Sequence, residues 1–480
     1  MAQPESVPGP ARPVLVGTKF QTRPAPSGGV ERRRLWALLD AHLGPSLVVA
    51  PPGYGKTTVL TNWCRAADRP TAWVSLDEAD NDPLVLWRYV VAAIDAVEPG
   101  LASGALDGPG EPDVLATVVP RVLNRVGSLG TELVLVLDDY QAISNPACHR
   151  SVEQALLWAP ANLRLVLASR ADPPLRIERL RAAGGLLVLR WADLAFTPGE
   201  SGQLLDDLGL DASADAVTTL HERTEGWPAG LNLAYLSVRD AADREAAVSE
   251  FRGSWRHVAD YLTEVVLEPL ERAARDFLID TSVLDTVCGP LGDAVTGHRS
   301  SAALLEHLER TGRFVMAVDG RRRWYRYHRL FADLLRDELD RLRPERRPTL
   351  HLRASGWLAE AGRIEEAARH AIAAGEYDTA AKLVASTDGA GLTDRELDVL
   401  QLLERGLSKR EVAGELFVSY NTIHTHARSI YRKLGASSRR EALARAHERG
   451  LLPGWGGWVP GPAGPAGSAR SPATGPATHP

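Results

Sequence analysis

Lys56 and Thr57 close the segment Ala50-Pro-Pro-Gly-Tyr-Gly-Lys-Thr57, set between an apolar run, Leu47-Val-Val-Ala50, and a helical pattern reaching Trp63. A strand, a glycine-containing loop ending in Gly-Lys-Thr, and then a helix is the context of a phosphate-binding loop. Gly53 and Gly55 allow backbone amides to turn inward, so that Pro52 through Gly55 cradle phosphate oxygens. The following helix, opened by Lys56, Thr57 and Thr58, aims its positive end at the same charge. Lys56 is placed to reach the β- and γ-phosphates of ATP, or the β-phosphate of ADP, and the Thr57 hydroxyl to ligate Mg²⁺. One position departs from the motif: its first residue is Ala50, where glycine is usual.

A second acidic element belongs to the same chemistry. Glu132-Leu-Val-Leu-Val-Leu137 is an apolar run that ends in Asp138 and Asp139. Carboxylates at the C-terminal end of a buried parallel strand face the ligand crevice. Asp138 is expected to hold Mg²⁺, and Asp139 to orient or deprotonate an attacking water. By itself Asp-Asp after a strand is more often a solvated turn; the upstream loop gives it meaning. The next apolar run, Leu163 to Ala168, leads to Ser169-Arg170, and Arg170 is a candidate γ-phosphate sensor. A surface arginine would look the same.

A different chemistry lies near the C-terminus. Thr393 and Glu396 form a capping box, as do Ser408 and Glu411, and Ser419 is placed to cap a third helix, Tyr420 to Leu434. Ile423, Ala427, Ile430 and Leu434 recur on one face of that helix, while His424, Thr425, Arg428 and Arg432 occupy the other. Between Asn421 and Arg440 there are five basic residues and no acidic one. Charge alone would describe a solvated basic helix, but two capping boxes at this spacing predict a helix-turn-helix whose second member enters the major groove. Arg428 is long enough for guanine edges, and His424 and Thr425 can reach bases or phosphates. Lys409, Thr422, Arg432 and Lys433 are expected on phosphates.

These groups need elements to carry them. Ser46–Ala50, Thr71–Leu76, Glu132–Leu137 and Leu163–Ala168 are runs of strand length, largely apolar throughout, with amphipathic stretches between them. That is the pattern of a parallel sheet covered on both faces. From Trp191 to about Leu342 helical periodicity dominates and no strand pattern persists. A helical stretch, Arg347 to Val384, and a four-helix unit follow. At 480 residues the chain is too long for one core. With 44% hydrophobic and 24% charged residues, and no apolar run near the ~20 residues of a membrane-spanning helix, it reads as a cytoplasmic globular protein without membrane contact. Cys64, Cys148 and Cys288 match neither a disulfide framework nor a metal site. The net charge of −6 argues only weakly against nucleic acid, because the basic segment is local. His221, His257, His351 and His370 show no ligand-like spacing.

The segments Leu392–Leu400, Gly406–Ala413 and Ser419–Ala427 resemble a LuxR-type DNA-binding domain, with His424 where that family usually has lysine. The preceding chain resembles the STAND-class ATPases of the maltose-regulon-activator type. The matching segments are Trp73–Pro83, Leu137–Tyr140, Ser169–Pro174, Thr224-Glu-Gly-Trp-Pro-Ala-Gly230 and Trp324-Tyr-Arg-Tyr-His328. The resemblance implies a multidomain protein: an α/β P-loop NTPase with a parallel sheet, then all-α and winged-helix modules, then a four-helix LuxR-type helix-turn-helix domain. The expected boundaries are 1–30 irregular, 31–190 NTPase, 191–265 helical, 266–345 winged helix, 346–388 a short helical remnant, 389–452 DNA reader and 453–480 a Gly/Pro/Ala tail. It further implies that Pro228 packs by the adenine, that Val30 and Arg32 lie near it, and that His328 contacts ADP phosphates in the off state. A long helical-repeat sensor is usual before the DNA reader, and here one helical hairpin or little more fits. The expected function is an ATP-dependent regulator binding promoter DNA as a homo-oligomer, with RNA polymerase as a further partner. An ATP-driven motor tethered to DNA, or a DNA reader with a relic ATPase, are the alternatives.

Overall fold

The computed structural model describes residues 14–21, 29–107, 112–182, 185–388, 392–416, 418, 420–449 and 451–452. The expected cap Ser419 and the 453–480 tail lie outside them. The chain divides into two compact units, Met1–Glu360 with Glu366–Ala380, and Ala361–Glu365 with Ala381–Pro480.

The first unit opens on a five-stranded parallel sheet. Its strands are β1 (Ser46–Val49), β2 (Thr71–Ser75), β3 (Leu133–Asp138), β4 (Leu163–Ser169) and β5 (Leu187–Arg190), in the order β2-β3-β4-β1-β5. β3 and β4 are buried at every residue, which is why their sequences do not alternate. In register, β1 pairs with β4 from Ser46↔Val166 to Val49↔Ser169, and β3 with β4 from Leu133↔Leu163 to Leu137↔Leu167. The C-terminal ends of β1, β3 and β4 therefore come to one edge, and with them the loop after Val49, the Asp138–Asp139 pair and Arg170. β5 was not among the expected strands: Leu187–Arg190 is four residues long and only Leu189 is buried, so it carries little apolar signal.

Helices follow from Pro198 to Leu262, each of the first three with proline or alanine at its opening position and the first capped by the box Thr197–Glu200. Beyond them the helical reading needs a correction. Val287–Cys288 (β6), Val315–Ala317 (β7) and Trp324–Tyr327 (β8) form an antiparallel sheet in the order β6-β8-β7, among the helices Arg272–Thr281, Gly289–Thr296, Ser301–Arg310 and Arg329–Leu342. Strands of two to four residues fall below what a period-two pattern can signal. The region therefore has the helix-and-hairpin composition of a winged helix.

Helices Arg347–Glu360 and Ile364–Ala373 come next. They bring together His351 and His370, whose Nδ1 atoms lie 2.8 Å apart. Burial, with His370 beside it, lowers the His351 pKa to about 4, so His351 is neutral at neutral pH. No helix among the described residues is long and apolar enough to cross a membrane.

The second unit contains helices Asp394–Glu404, Lys409–Glu415, Tyr420–Leu434 and Arg439–Glu448 around Val399, Leu400, Leu403, Val412, Ile423, Ile430 and Leu434. Both expected capping boxes, Thr393–Glu396 and Ser408–Glu411, are formed.

Candidate functional site

The loop after β1 owes its shape to two left-handed glycines, Gly53 (φ 78°) and Gly55 (φ 73°), a conformation that a Cβ disfavours. Ala50, in the motif's first position, is not among the residues of positive φ, so its backbone asks for no glycine. Every carbonyl from Ala50 to Gly55 has a donor. Lys56 Nζ donates to Ala50 (2.7 Å) and Pro51 (3.2 Å), Trp227 Nε1 to Pro52 (3.0 Å) and the Ala229 amide to Gly53 (3.1 Å). Arg32 Nη1 holds Tyr54 (3.1 Å), and the Val59 amide holds Gly55 (2.9 Å). With the oxygens tied back, the amides of residues 53–58 have no acceptor among the described residues. A row of unpaired amides at a helix N-terminus is an anion-binding nest.

The charges agree with that use. Lys56 is 8% exposed. Burial, with Arg170 nearby, lowers its pKa to about 8, against the opposing pull of Asp139 and Asp138. An ammonium held only by two carbonyls in a buried site lacks a counter-charge that a phosphate would supply. Asp138 is buried at the end of β3, where Thr57 Oγ1 donates to its Oδ2 at 2.7 Å and the Asp139 amide to its Oδ1 at 3.0 Å. Burial and then the Asp139 charge raise its pKa. A hydroxyl and a carboxylate in contact, both beside the amide nest, form a donor set that fits a Mg²⁺ accompanying a nucleotide. Asp139 takes a left-handed backbone (φ 57°) and is more exposed. Gln141 Nε2 donates to its Oδ1 at 2.8 Å, while Gln141 Oε1 accepts from the Arg170 amide at 2.8 Å. Arg170 Nε stands 3.9 Å from Asp139 Oδ1 and is half exposed. Thr58 is half buried in the first helical turn.

Pro228 begins the helix Pro228–Val238, between Trp227 and Ala229, both bonded to the loop. His328 is not in direct hydrogen-bond contact with the loop. It is fully buried, with Nε2 donating to Thr224 O at 3.0 Å and Nδ1 unpartnered among the described residues. Burial lowers its pKa, so the ring is neutral. The winged-helix segment nevertheless covers the loop. A Cβ on Gly312 would lie 2.2 Å from Arg170 O, and the Asp172 amide donates to Arg310 O at 3.2 Å. Glu225 and Arg326 form a bidentate pair at 2.8 and 2.6 Å. Burial would raise the Glu225 pKa, but Arg326 lowers it further. A cavity of about 90 Å³ remains, lined by Pro51, Arg170, Arg190, Glu309 and Arg322 among others. Gln141, Trp227 and the Glu225–Arg326 pair were not expected as site residues, and Arg32 was expected near the adenine only through the family resemblance, not on the loop's Tyr54 carbonyl. Their donors arrive from segments up to 175 residues away, and local spacing carries no trace of that.

In the second unit His424, Thr425, Arg428 and Arg432 are exposed on the helix Tyr420–Leu434, and Thr422 is half buried. Lys409 Nζ lies 3.4 Å from His424 Nδ1, and Tyr420 stacks on His424. Lys433 departs from the expected phosphate role. Its ammonium donates to the buried Glu396 at 2.7 Å, and its side chain is only 10% exposed, so it stabilises the domain rather than meeting solvent.

Residues 262–347 match the MalT winged helix domain, and residues 390–446 the luxR family of bacterial regulatory proteins. The chain is 34% identical over 371 residues to the HTH-type transcriptional regulator MalT of Serratia proteamaculans, covering 76% of this chain and 41% of the relative. It is 31% identical over 388 residues to the serine/threonine-protein kinase PknK of Mycobacterium tuberculosis, covering 79% of this chain and 35% of that protein. The chain thus spans about two-fifths or less of the length of these relatives. Among solved structures, a Walker-type ATPase of Pyrococcus abyssi superposes with a TM-score of 0.46 at 16% identity, over 64% of this chain and 94% of its own.

Proposed function

We propose that this chain, a MalT-like protein of the luxR class with an N-terminal P-loop ATPase domain, is a transcription regulator whose bound nucleotide decides its assembly and grip on promoter DNA. The observation that carries the reading is the loop at Ala50–Gly55, with every carbonyl tied back and its amides free, on the same chain as a luxR-type reader. The MalT relative is an HTH-type transcriptional regulator. Here Gly53 through Thr58 would hold the phosphates of ATP or ADP, and Thr57 with Asp138 a Mg²⁺, which supplies charge neutralisation at the phosphates when bound.

ADP would favour the arrangement in which the winged-helix segment covers the loop. ATP would favour release, self-association and several readers along one promoter, where RNA polymerase is a candidate partner. The logic is a population shift: ATP must bind the released state better than the covered one. Residues 348–389, between the two matched domains, hold the helices Arg347–Glu360, Ile364–Ala373 and Tyr377–Asp388 and leave room for little more. A signal would act on the ATPase domain or arrive with a partner, or the protein is constitutively biased.

Mass in solution and DNA affinity, measured with ATP, with ADP and without nucleotide, test the reading. ATP alone should raise both. Equal mass and equal affinity in all three conditions would show that the nucleotide is not the gate.

Hydrolysis would reset the switch, with Asp139 as the group that orients water. It lies beside the Thr57–Asp138 contact, braced by Gln141, and is exposed enough to meet solvent. Asp139→Asn keeps the shape and the Gln141 contact but loses the base, so turnover should fall about a hundredfold or more. ADP affinity, read by titration, should stay within a factor of about two to three. Unchanged turnover would remove Asp139 from the role.

A further inference from the structure

Two of the donors that tie back the phosphate loop come from one place. Trp227 Nε1 holds Pro52 O at 3.0 Å, and two residues on the Ala229 amide holds Gly53 O at 3.1 Å. The contact has no slack. A Cβ on Gly53 would fall 2.5 Å from Ala229 Cβ and 2.7 Å from the indole nitrogen. A Cβ on Gly230 would fall 2.4 Å from the same indole. Any side chain at either glycine would have to displace the ring.

The rest of that ring belongs to the winged-helix segment. Phe314 meets it edge-on at 5.1 Å between centroids and His328 at 5.6 Å, while Tyr261 closes the cluster at 5.6 Å. Tyr54, from the loop itself, tilts against Phe314 at 6.4 Å. Trp227, Phe314, His328 and Tyr54 are all fully buried. Phe314 also holds a left-handed backbone (φ 55°), rare for an aromatic residue and a mark of a position fixed by its surroundings.

We infer that Trp227 is a positioning residue that couples the phosphate loop to the docking of the winged-helix segment. The inference rests on the loop holding a nucleotide. Its N–H keeps the Pro52 carbonyl turned away from the nest, and that bond needs one orientation of the ring. Phe314 and His328 set the orientation. Undocking the winged-helix segment exposes an indole edge to water and frees the ring to turn. Conversely, a phosphate that moves the Pro52 peptide must tilt the indole against Phe314. Loop and winged helix thus share one rigid part, and a nucleotide that prefers the docked state gains affinity through it.

Full-length native protein, Trp227→Phe, Phe314→Leu and the double variant would be titrated with N-methylanthraniloyl ADP and ATP, with thermal unfolding as the fold control. Trp227→Phe keeps a ring but removes the donor. Each single variant is expected to bind ADP about tenfold more weakly, with a smaller change for ATP. The double variant should be no weaker than Trp227→Phe alone, because both changes break the same link. Phe314 makes no hydrogen bond to the loop but packs on its Tyr54, so an ADP-selective loss in Phe314→Leu supports the indole route only where it does not add to that of Trp227→Phe. Equal loss for ADP and ATP, or losses that multiply in the double variant, would overturn the coupling. Failure of the native protein to bind either nucleotide would instead overturn the nucleotide site itself, and the coupling with it.

Discussion

Lys56→Ala should weaken nucleotide binding by about a hundredfold or more, while leaving the nucleotide-free protein at least as stable as the native one. The two halves follow from the same burial. The ammonium is 8% exposed and bonded to the carbonyls of Ala50 and Pro51, and burial lowers its pKa to about 8. A charge in that position contributes little to folding and waits for an anion. Removing one partner of a buried, hydrogen-bonded charge pair typically costs about 2–5 kcal/mol of binding. The loss is therefore expected in affinity, not in unfolding temperature. A pH signature accompanies it. The phosphate raises the lysine pKa above 8, so binding takes up a proton once the free lysine has begun to lose its own. Affinity of the native protein should fall as pH rises above about 8, and Lys56→Ala should abolish that slope. Titration with a fluorescent nucleotide from pH 7 to 9.5 reads both effects. Native-like affinity in the variant would mean that phosphates do not sit in this loop.

The parts of this site that could be read from the sequence are those whose chemistry is local. Gly53, Gly55, Lys56 and Thr57 lie within five residues, and Asp138 and Asp139 end a strand that is apolar from Leu133. The helix-turn-helix was legible for the same reason, since each capping box spans four residues. What could not be read is how the loop is held. Trp227 and Arg32 act through donors that meet the loop only in the folded chain, and an indole in a helical region looks like any core anchor. The winged-helix hairpin escaped the residue pattern because β6 has two residues and β7 three; the resemblance of Trp324–His328 to known sequences supplied what periodicity lacked. Lys433 shows the reverse case. Counted with its neighbours it belongs to a basic run, but its partner Glu396 sits 37 positions earlier, on the first helix of the unit.

That pair carries the second large expected effect: Glu396→Ala should unfold the C-terminal reader. Glu396 is 3% exposed and accepts from Lys433 Nζ (2.7 Å), Ser429 Oγ (2.6 Å), and the amide and hydroxyl of Thr393 (2.8 and 3.0 Å). It thus joins the cap of the first helix to the helix Tyr420–Leu434. Burial alone would raise its pKa, but Lys433 and then Ser429 outweigh that and lower it. Truncation leaves a buried ammonium without its partner, which costs about 3–5 kcal/mol, and removes the second half of a capping box worth about 1 kcal/mol. A small four-helix unit has about that much stability to lose. Hydrogen exchange over residues 392–449 of the full chain should show the loss as collapsed protection, with DNA binding gone at the same temperature. Because the folded carboxylate has the lower pKa, its contribution is present above the unfolded value of about 4.3 and lost as pH falls below it. The native reader should therefore open in acid by the route the variant takes at neutral pH. Arg428→Ala, on the exposed face of the same helix, provides the contrast: DNA affinity falls while protection stays native. If Glu396→Ala instead kept native protection and lost only DNA affinity, Lys433 would be a phosphate contact after all and the pair a surface feature.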